Sequence, residues 1–468
     1  MLAQWQGPMI KKTKICFRSL INRSSEEIYD WHLRKRVVER CIPPSEKIDV
    51  ICSKGRPNNP GSKIAVRFKV LNLFWVRQVL QHDAHKDNES FSLHQTEGVF
   101  DEYKYETVIT PQSTHTSEII DKFEFTHRLP RFLNPIINHY MKQRIGKLLS
   151  YKHALIDHDI GMVQKYPFEK PFKILISGSH GLIGKNLAYL MEFMGHEVWH
   201  LSRKSSGEEK TVIWNPKTGE CNLSEFEGFD VVIHLAGESI GKGWWTGRKK
   251  RRVLKSRVKG TELLAEVIKK LSHPPQAFIS ASAIGYYGNC GTKMVNEESG
   301  PGKGLFLSEV CQQWERAGKD MEEKGVRVVY TRFGMVLSSE GGALKQMLRL
   351  FKWGLGGRIG NGHQYMSWVA IDDVVGALYH VMMTPNVSGA VNVVAPHPVP
   401  NDVFTKKLAQ VLNRWLGPPF PEFAVRLLMG QKGEELLLSS TRVEPRRLCE
   451  SGYNFHYPNL CQALEHVT

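Results

Sequence analysis

The chain has 468 residues and a formal net charge of +16, with 41% hydrophobic and 24% charged residues. That length exceeds one ordinary domain and suffices for two or three, and the composition is globular rather than disordered. There is no apolar run long enough to span a bilayer and no charged start followed by an apolar core, and the eight cysteines include no Cys-x-x-Cys. A cytoplasmic protein is therefore expected, with no membrane partner, disulfide framework, zinc site or other metal.

From the N-terminus, Lys14 to Ser19 reads as a strand. Residues 24–40 open on cap-type serines and place Ile28, Trp31 and Leu33 at helical spacing. Pro43 and Pro44 force a turn. Strand-like runs follow at 62–71, 74–81, 89–100, 101–110 and 115–127. In the first, Ile64, Val66, Phe68 and Val70 alternate onto one face. Residues 130–154 read as a helix, with Phe132, Ile136, Ile137, Tyr140, Met141, Ile145 and Leu148 on its buried side. His32, His85, His94, His115 and His127 are not spaced as metal ligands. Residues 156–171 carry two prolines and little periodicity and are expected to be a linker.

The stretch from Lys173 to Lys204 has a different grammar. A short apolar run ends at Ser177, and glycines stand at 178, 181 and 184. Leu182, Ile183, Leu187, Leu190, Met191 and Met194 then recur at helical spacing, and Gly195 closes the helix. A second strand runs from His196 to Ser202. Strand, glycine turn, helix and strand in this order suit a dinucleotide's pyrophosphate. Gly178 permits the turn, Gly181 lets the backbone approach the phosphates, and Gly184 lets the helix pack close. Ser179, His180, Leu182 and Ile183 complete that loop. An NAD site usually has an acidic residue about 20 positions on. Ser202, Arg203 and Lys204 stand there instead, a hydroxyl and two cations suited to a 2′-phosphate, so NADP(H) is expected.

Residues 229–235 form the next buried strand, which ends in Ala236 and Gly237; Leu235, Ala236 and Gly237 are candidate cofactor contacts, and small residues in the loop at this strand end leave space for the cofactor. A helix is expected over 246–270, a strand over 276–282, a helix over 304–324 and a strand over 326–331. Strands alternating with helices mean a doubly wound, Rossmann-type α/β sheet. The run from Gly247 to Gly260 holds eight Lys or Arg and no acid. It also carries Val253, Leu254 and Val258, so it reads as one face of an amphipathic helix rather than a nucleic-acid site.

The quoted segments carry two resemblances. Strand, helices, antiparallel strands and a long final helix resemble the helix-grip (START/polyketide-cyclase-like, SRPBCC) domains, with Trp31-His32 and Pro43-Pro44 as local support. That resemblance implies an α+β domain over 13–155 enclosing an apolar ligand, or a filled core that serves docking. SGSHGLIG, DVVIHLAG, SASAIGYYG and SWVAIDDVV resemble the short-chain dehydrogenase/reductase proteins of the NAD-dependent epimerase/dehydratase family. FLSEVCQQWE, TRFGMVLSSEGGAL and GLGGRIGNGHQYMSWV are similar to its epimerase-like subfamily. This implies an NADP-binding domain over 172–468 with a small C-terminal substrate subdomain.

In that family a Ser, a Tyr and a Lys do the proton work. Ser282 matches the serine. The Tyr and Lys positions fall on Leu307 and Cys311, and Arg257 replaces an Asn of the preceding helix. Tyr286 and Tyr287 are the candidate substitutes for the phenol, with packing as the other reading of each. Glu238 and Lys250 are further candidates. The resemblance implies an oxidoreductase or epimerase acting on a small carbonyl, alcohol or sugar-like substrate. The alternative is a non-catalytic NADP(H)-dependent binding or sensor protein.

Overall fold

The computed structural model describes residues 12–55, 59–70, 74–83, 85–126, 134–204 and 210–468. The chain divides into two compact units, one through Phe168 and one from Glu169 onward.

The first unit runs β1 (Thr13–Ile21), α1 (Ser25–Leu33), α2 (Val37–Arg40), β2 (Ile48–Lys54), β3 (Lys63–Val70), β4 (Phe74–His82), β5 (Ser90–Glu97), β6 (Glu102–Ser113), β7 (Thr116–Thr126) and α3 (Asn134–Lys165). Its strands form one antiparallel sheet in the order β1-β7-β6-β5-β4-β3-β2. α1 starts at a capping box in which Ser24 and Glu27 satisfy each other's backbone amides. The single helix expected over 24–40 is two, because Arg36 turns left-handed (φ 61°) between them. β2 was not expected; it follows the double proline and is only seven residues long.

The linker expected at 156–171 is helical as far as Lys165. Leu155, Ile156, Ile160 and Met162 remain buried, so apolar periodicity carries α3 on until Pro167 approaches. His127, Pro130 and Phe132 lie outside the described residues.

Against the inner sheet face, Phe123 and Phe125 pack with Ile145 and Leu149 of α3. The same interior holds charge. Lys152 Nζ lies 3.0 and 3.1 Å from the two Asp121 carboxylate oxygens. His153 Nε2 is 2.7 Å from Asp121 Oδ2, and Tyr105 and Thr107 donate to Oδ1. Burial alone would raise the Asp121 carboxyl; Lys152, His153 and Thr107 instead hold it well below the usual range. His32 bonds the Ile28 carbonyl at 2.7 Å, and burial pushes it down to about 3, so it is neutral. Nearby, Arg40 pairs with fully buried Asp159 at 2.9 Å. Removing one partner of a buried pair strands the other charge. Asp121→Ala is expected to cost about 3–5 kcal/mol. Hydrogen exchange of β6 and β7 amides checks this, and a loss below about 1 kcal/mol contradicts it.

The second unit runs β8 (Lys173–Ser177), α4 (Leu182–Met194), β9 (Glu197–Ser202), β10 (Thr211–Asn215), β11 (Glu220–Cys221), β12 (Val231–His234), α5 (Gly247–Lys270), β13 (Ala277–Ala283), β14 (Met294–Val295), α6 (Phe306–Ala317), β15 (Arg327–Phe333), β16 (Met335–Leu337), α7 (Gly342–Lys352), β17 (Tyr365–Met366), β18 (Trp368–Ala370), α8 (Ile371–Met383) and β19 (Gly389–Val393). The main sheet is ordered β11-β10-β9-β8-β12-β13-β15-β19 and is parallel except for β11. Chain direction across the sheet reverses at β8 and β12, the place where such sheets bind dinucleotides.

α4 packs with α8, and α5 packs with α6. Leu175, Val232, Phe278 and Val328 of the sheet share one core with Leu264 and Ile268 of α5. The helix expected over 304–324 ends at Ala317, and a 3₁₀ turn covers Lys319–Lys324. Beyond the sheet, Leu337, Leu344, Phe351, Trp368, Phe404 and Leu464 form a separate core for the C-terminal part. Among the described residues no helix is long and apolar enough to cross a membrane.

Candidate cofactor and active site

The glycine loop sits at the C-terminal edge of β8. Gly178 is left-handed (φ 71°), and a Cβ there would stand 2.9 Å from the Ala236 nitrogen. A Cβ on Gly184 would meet the Gly178 carbonyl oxygen at 2.3 Å. These contacts explain both glycines and the small residue at 236. Gly181 is the N-cap of α4, and no side chain caps that terminus. The helix ladder begins with Lys185 N donating to Gly181 O, so the amides of Leu182, Ile183 and Gly184 face outward with the positive end of the helix dipole. Ser179 is buried beneath the loop, and His180 lies 5.8 Å, ring to ring, from His200. The backbone cradle fits a diphosphate.

The loop's floor is tied together by Ser177 and His234. Ser177 Oγ accepts from the amides of Leu235 (3.2 Å) and Ala236 (3.3 Å), and lies 2.6 Å from His234 Nδ1. His234 is fully buried, and burial pushes it down to about 3. At the end of β9, Ser202 Oγ accepts from the Lys204 amide (3.3 Å), while Arg203 and Lys204 are exposed and make no ion pair among the described residues.

The proton-transfer candidates lie at the ends of β13 and β15. Buried Ser282 donates its hydroxyl to Glu315 Oε1 at 2.7 Å. Glu315 is clamped by Arg332, whose Nε and Nη2 donate to its two oxygens at 2.8 and 2.7 Å. Arg332 Nη1 also donates to the Tyr287 phenol (2.9 Å), which donates to Asn392 Oδ1 (2.8 Å). Burial pushes Tyr287 up to about 12, and both hydrogen-bonding directions of its oxygen are used. Tyr286 differs: its ring lies 3.5 Å from the Arg332 guanidinium carbon and is half-buried, and its phenol oxygen makes no hydrogen bond among the described residues. The structure therefore brings Ser282, Tyr286 and Tyr287 around the Glu315–Arg332 pair.

Leu307 packs on Gly285, and Cys311 Sγ lies 3.6 Å from the Ala283 carbonyl oxygen. Burial pushes the Cys311 thiol up to about 11. Glu238 is bound by Lys249 (2.6 Å), which holds its carboxyl below the ordinary value and weakens it as a base. Lys250 is spent on Gln431. Glu435, in a π-helical turn, accepts from the amides of Phe306 (3.0 Å) and Leu307 (2.9 Å) and so caps α6 from far along the chain.

The sequence profile of the NAD dependent epimerase/dehydratase family matches residues 174–394, and that of a domain of unknown function (DUF1731) matches 420–467. The epimerase family protein ML0860 of Mycobacterium leprae is 37% identical over 295 residues, covering 63% of this chain and 95% of the relative. The chain belongs to the epimerase family. The crystal structure of human epimerase family protein SDR39U1 with NADPH is 34% identical, with TM-score 0.58, covering 63% of this chain and 98% of that one. The structure of the nucleoside-diphosphate sugar epimerase from Corynebacterium glutamicum is 28% identical, with TM-score 0.79, covering 97% of this chain and 90% of that one.

Glu315, Arg332, Lys249 and Glu435 were not singled out as site residues from the sequence. Glu315 and Arg332 lie inside FLSEVCQQWE and TRFGMVLSSEGGAL, so the motifs held the signal. Their pairing depends on the register of β13 with β15, which sets Ser282 opposite Arg332.

The floor of the loop has a pH consequence. His234 is neutral when folded, and its folded pKa lies below its unfolded value near 6.5. The unfolded chain then takes up a proton that the folded chain refuses, so stability is full above about pH 6.5 and declines toward pH 3. Between pH 7 and pH 5 this one group should remove about 2 kcal/mol. Urea unfolding of wild type and His234→Asn across that range measures it, and parallel stability–pH curves for the two would contradict it.

Proposed function

We propose that the second unit binds NADP(H) and exchanges hydride with a small carbonyl or alcohol, including sugar-like substrates, with Tyr286 at the proton. One observation carries the reading. An uncapped helix N-terminus over a loop without room for Cβ atoms sits one strand away from two cations that have no carboxylate partner among the described residues. The first arrangement suits a diphosphate and the second a 2′-phosphate. That the human relative was crystallised with NADPH supports the same cofactor. When bound, the nicotinamide supplies the hydride chemistry.

The residues of this chain would do the remainder. Ser282 donates its hydroxyl hydrogen bond to Glu315, so it offers lone pairs and receives a substrate hydroxyl rather than polarising a carbonyl. Tyr286 keeps a phenol to give or take a proton, and its ring face is held against the Arg332 guanidinium. The first unit we read as a START/polyketide-cyclase-like ligand-binding domain over 13–155, supported by its seven-stranded antiparallel sheet and long final helix. The buried Asp121–Lys152–His153 group makes its interior less apolar than the resemblance implied. A non-catalytic NADP(H) sensor is the second reading, favoured by Leu307 and Cys311 at the Tyr and Lys positions. Following nicotinamide absorbance with a carbonyl panel separates the two readings, since a sensor binds without turnover.

Two outcomes are expected. Replacing Arg203 and Lys204 by Ser should weaken NADPH about 10- to 100-fold, the worth of losing charge-assisted hydrogen bonds, and leave NADH nearly unchanged. Equal effects on the two cofactors, read by calorimetry, would remove the 2′-phosphate assignment. Tyr286→Phe should lower turnover by about 10²- to 10⁴-fold, the usual contribution of a general acid or base. Tyr287→Phe should leave turnover in place and cost about 1–3 kcal/mol of stability through its buried partners. Matching losses of turnover in both variants would contradict the separation.

A further inference from the structure

Arg257 reaches from α5 to the C-terminal edge of β12. Its Nη1 donates to the carbonyl oxygens of Glu238 (3.0 Å) and Val253 (3.1 Å). The Trp314 ring centroid lies 5.0 Å from its Cζ. Gly237 lies against the guanidinium, since a Cβ there would stand 3.3 Å from Cζ and 3.4 Å from Nη2. This places the cation one residue beyond Ala236, which touches Gly178 of the phosphate loop.

The remaining donors are uncommitted. Nε–H and the two Nη2–H bonds have no acceptor among the described residues, and neither nitrogen is sealed from solvent. The side chain is half-buried, and desolvation presses against its charge. No ion pair neutralises it among the described residues. Glu238 is taken by Lys249, Glu315 by Arg332, and the Cys311 thiol stays protonated. A guanidinium drawn partly out of water without a counter-ion is costly unless an anion arrives. Nε–H and one Nη2–H are parallel, the spacing that meets two oxygens of a carboxylate or phosphate at once.

We infer that Arg257 is the receptor for a two-oxygen anion carried into this crevice by the bound ligand, either the diphosphate of the cofactor or a carboxylate of the substrate. The inference rests on the NADP(H) reading for the location of the crevice but not for the chemistry of the fork.

The test uses the full chain as wild type, Arg257→Met and Arg257→Lys. NADPH affinity is read by its fluorescence, and sodium pyruvate, a small carboxylate, is then titrated with and without NADPH, read by the thermal midpoint. If the diphosphate is the anion, Arg257→Met loses about tenfold or more in NADPH affinity, and Arg257→Lys, which keeps the charge but not the fork, recovers only part. If a carboxylate is the anion, NADPH affinity is unchanged in Arg257→Met and the pyruvate shift seen in wild type disappears. Arg257→Met matching wild type in both titrations overturns the inference. Wild type that fails to bind NADPH overturns the cofactor reading instead, and the pyruvate titration without NADPH then decides Arg257 separately.

Discussion

At the ends of β8 and β12 two strands and a helix meet backbone to backbone, and no Cβ fits between them. Gly178 touches the Ala236 peptide and Gly184 touches the Gly178 carbonyl. Close packing of this kind transmits position: α4 points its amides where it does because its first turn rests directly on the loop it follows. Ser177 and His234 bind the same two strands from beneath. The rest of the crevice is referred to this fixed corner, since β13 and β15 are hydrogen-bonded in sequence outward from β12.

Next to that rigid floor stands a buried ion pair. Glu315 and Arg332 are both largely withdrawn from water and form two parallel hydrogen bonds, the geometry in which a buried pair best offsets its desolvation. Their effect is to assign fixed hydrogen-bonding directions to Ser282 and Tyr287. The polar groups at the strand ends are thereby divided. Most are spent on one another, while the Tyr286 phenol and one edge of Arg257 have no partner among the described residues.

Elements whose apolar residues recur at one clear period were legible in the sequence. α4 and its glycines are an example, because helical spacing, the turn and the closing Gly195 all agree. β3 is another, with Ile64, Val66 and Phe68 on one face. Failures came where a local signal competed with tertiary context. Prolines at 43 and 44 hid β2, and Arg36 broke a pattern that continued through it. The site was legible where spacing alone carries chemistry, as in the glycine loop, and illegible where chemistry arises from register. No count along the chain places Arg332 against Glu315, or Glu435 against the first turn of α6, 128 residues away.

The unbroken length of α3 bears on how the protein can be dissected. Its last turns carry Asp159, which receives both the Arg40 guanidinium and the Trp31 indole N–H from the opposite end of the unit. A fragment ended near residue 155, ahead of the linker expected from the sequence, would keep the arginine and the tryptophan and discard their shared acceptor. Loss of solubility in such a fragment would then describe the missing carboxylate rather than the autonomy of the domain.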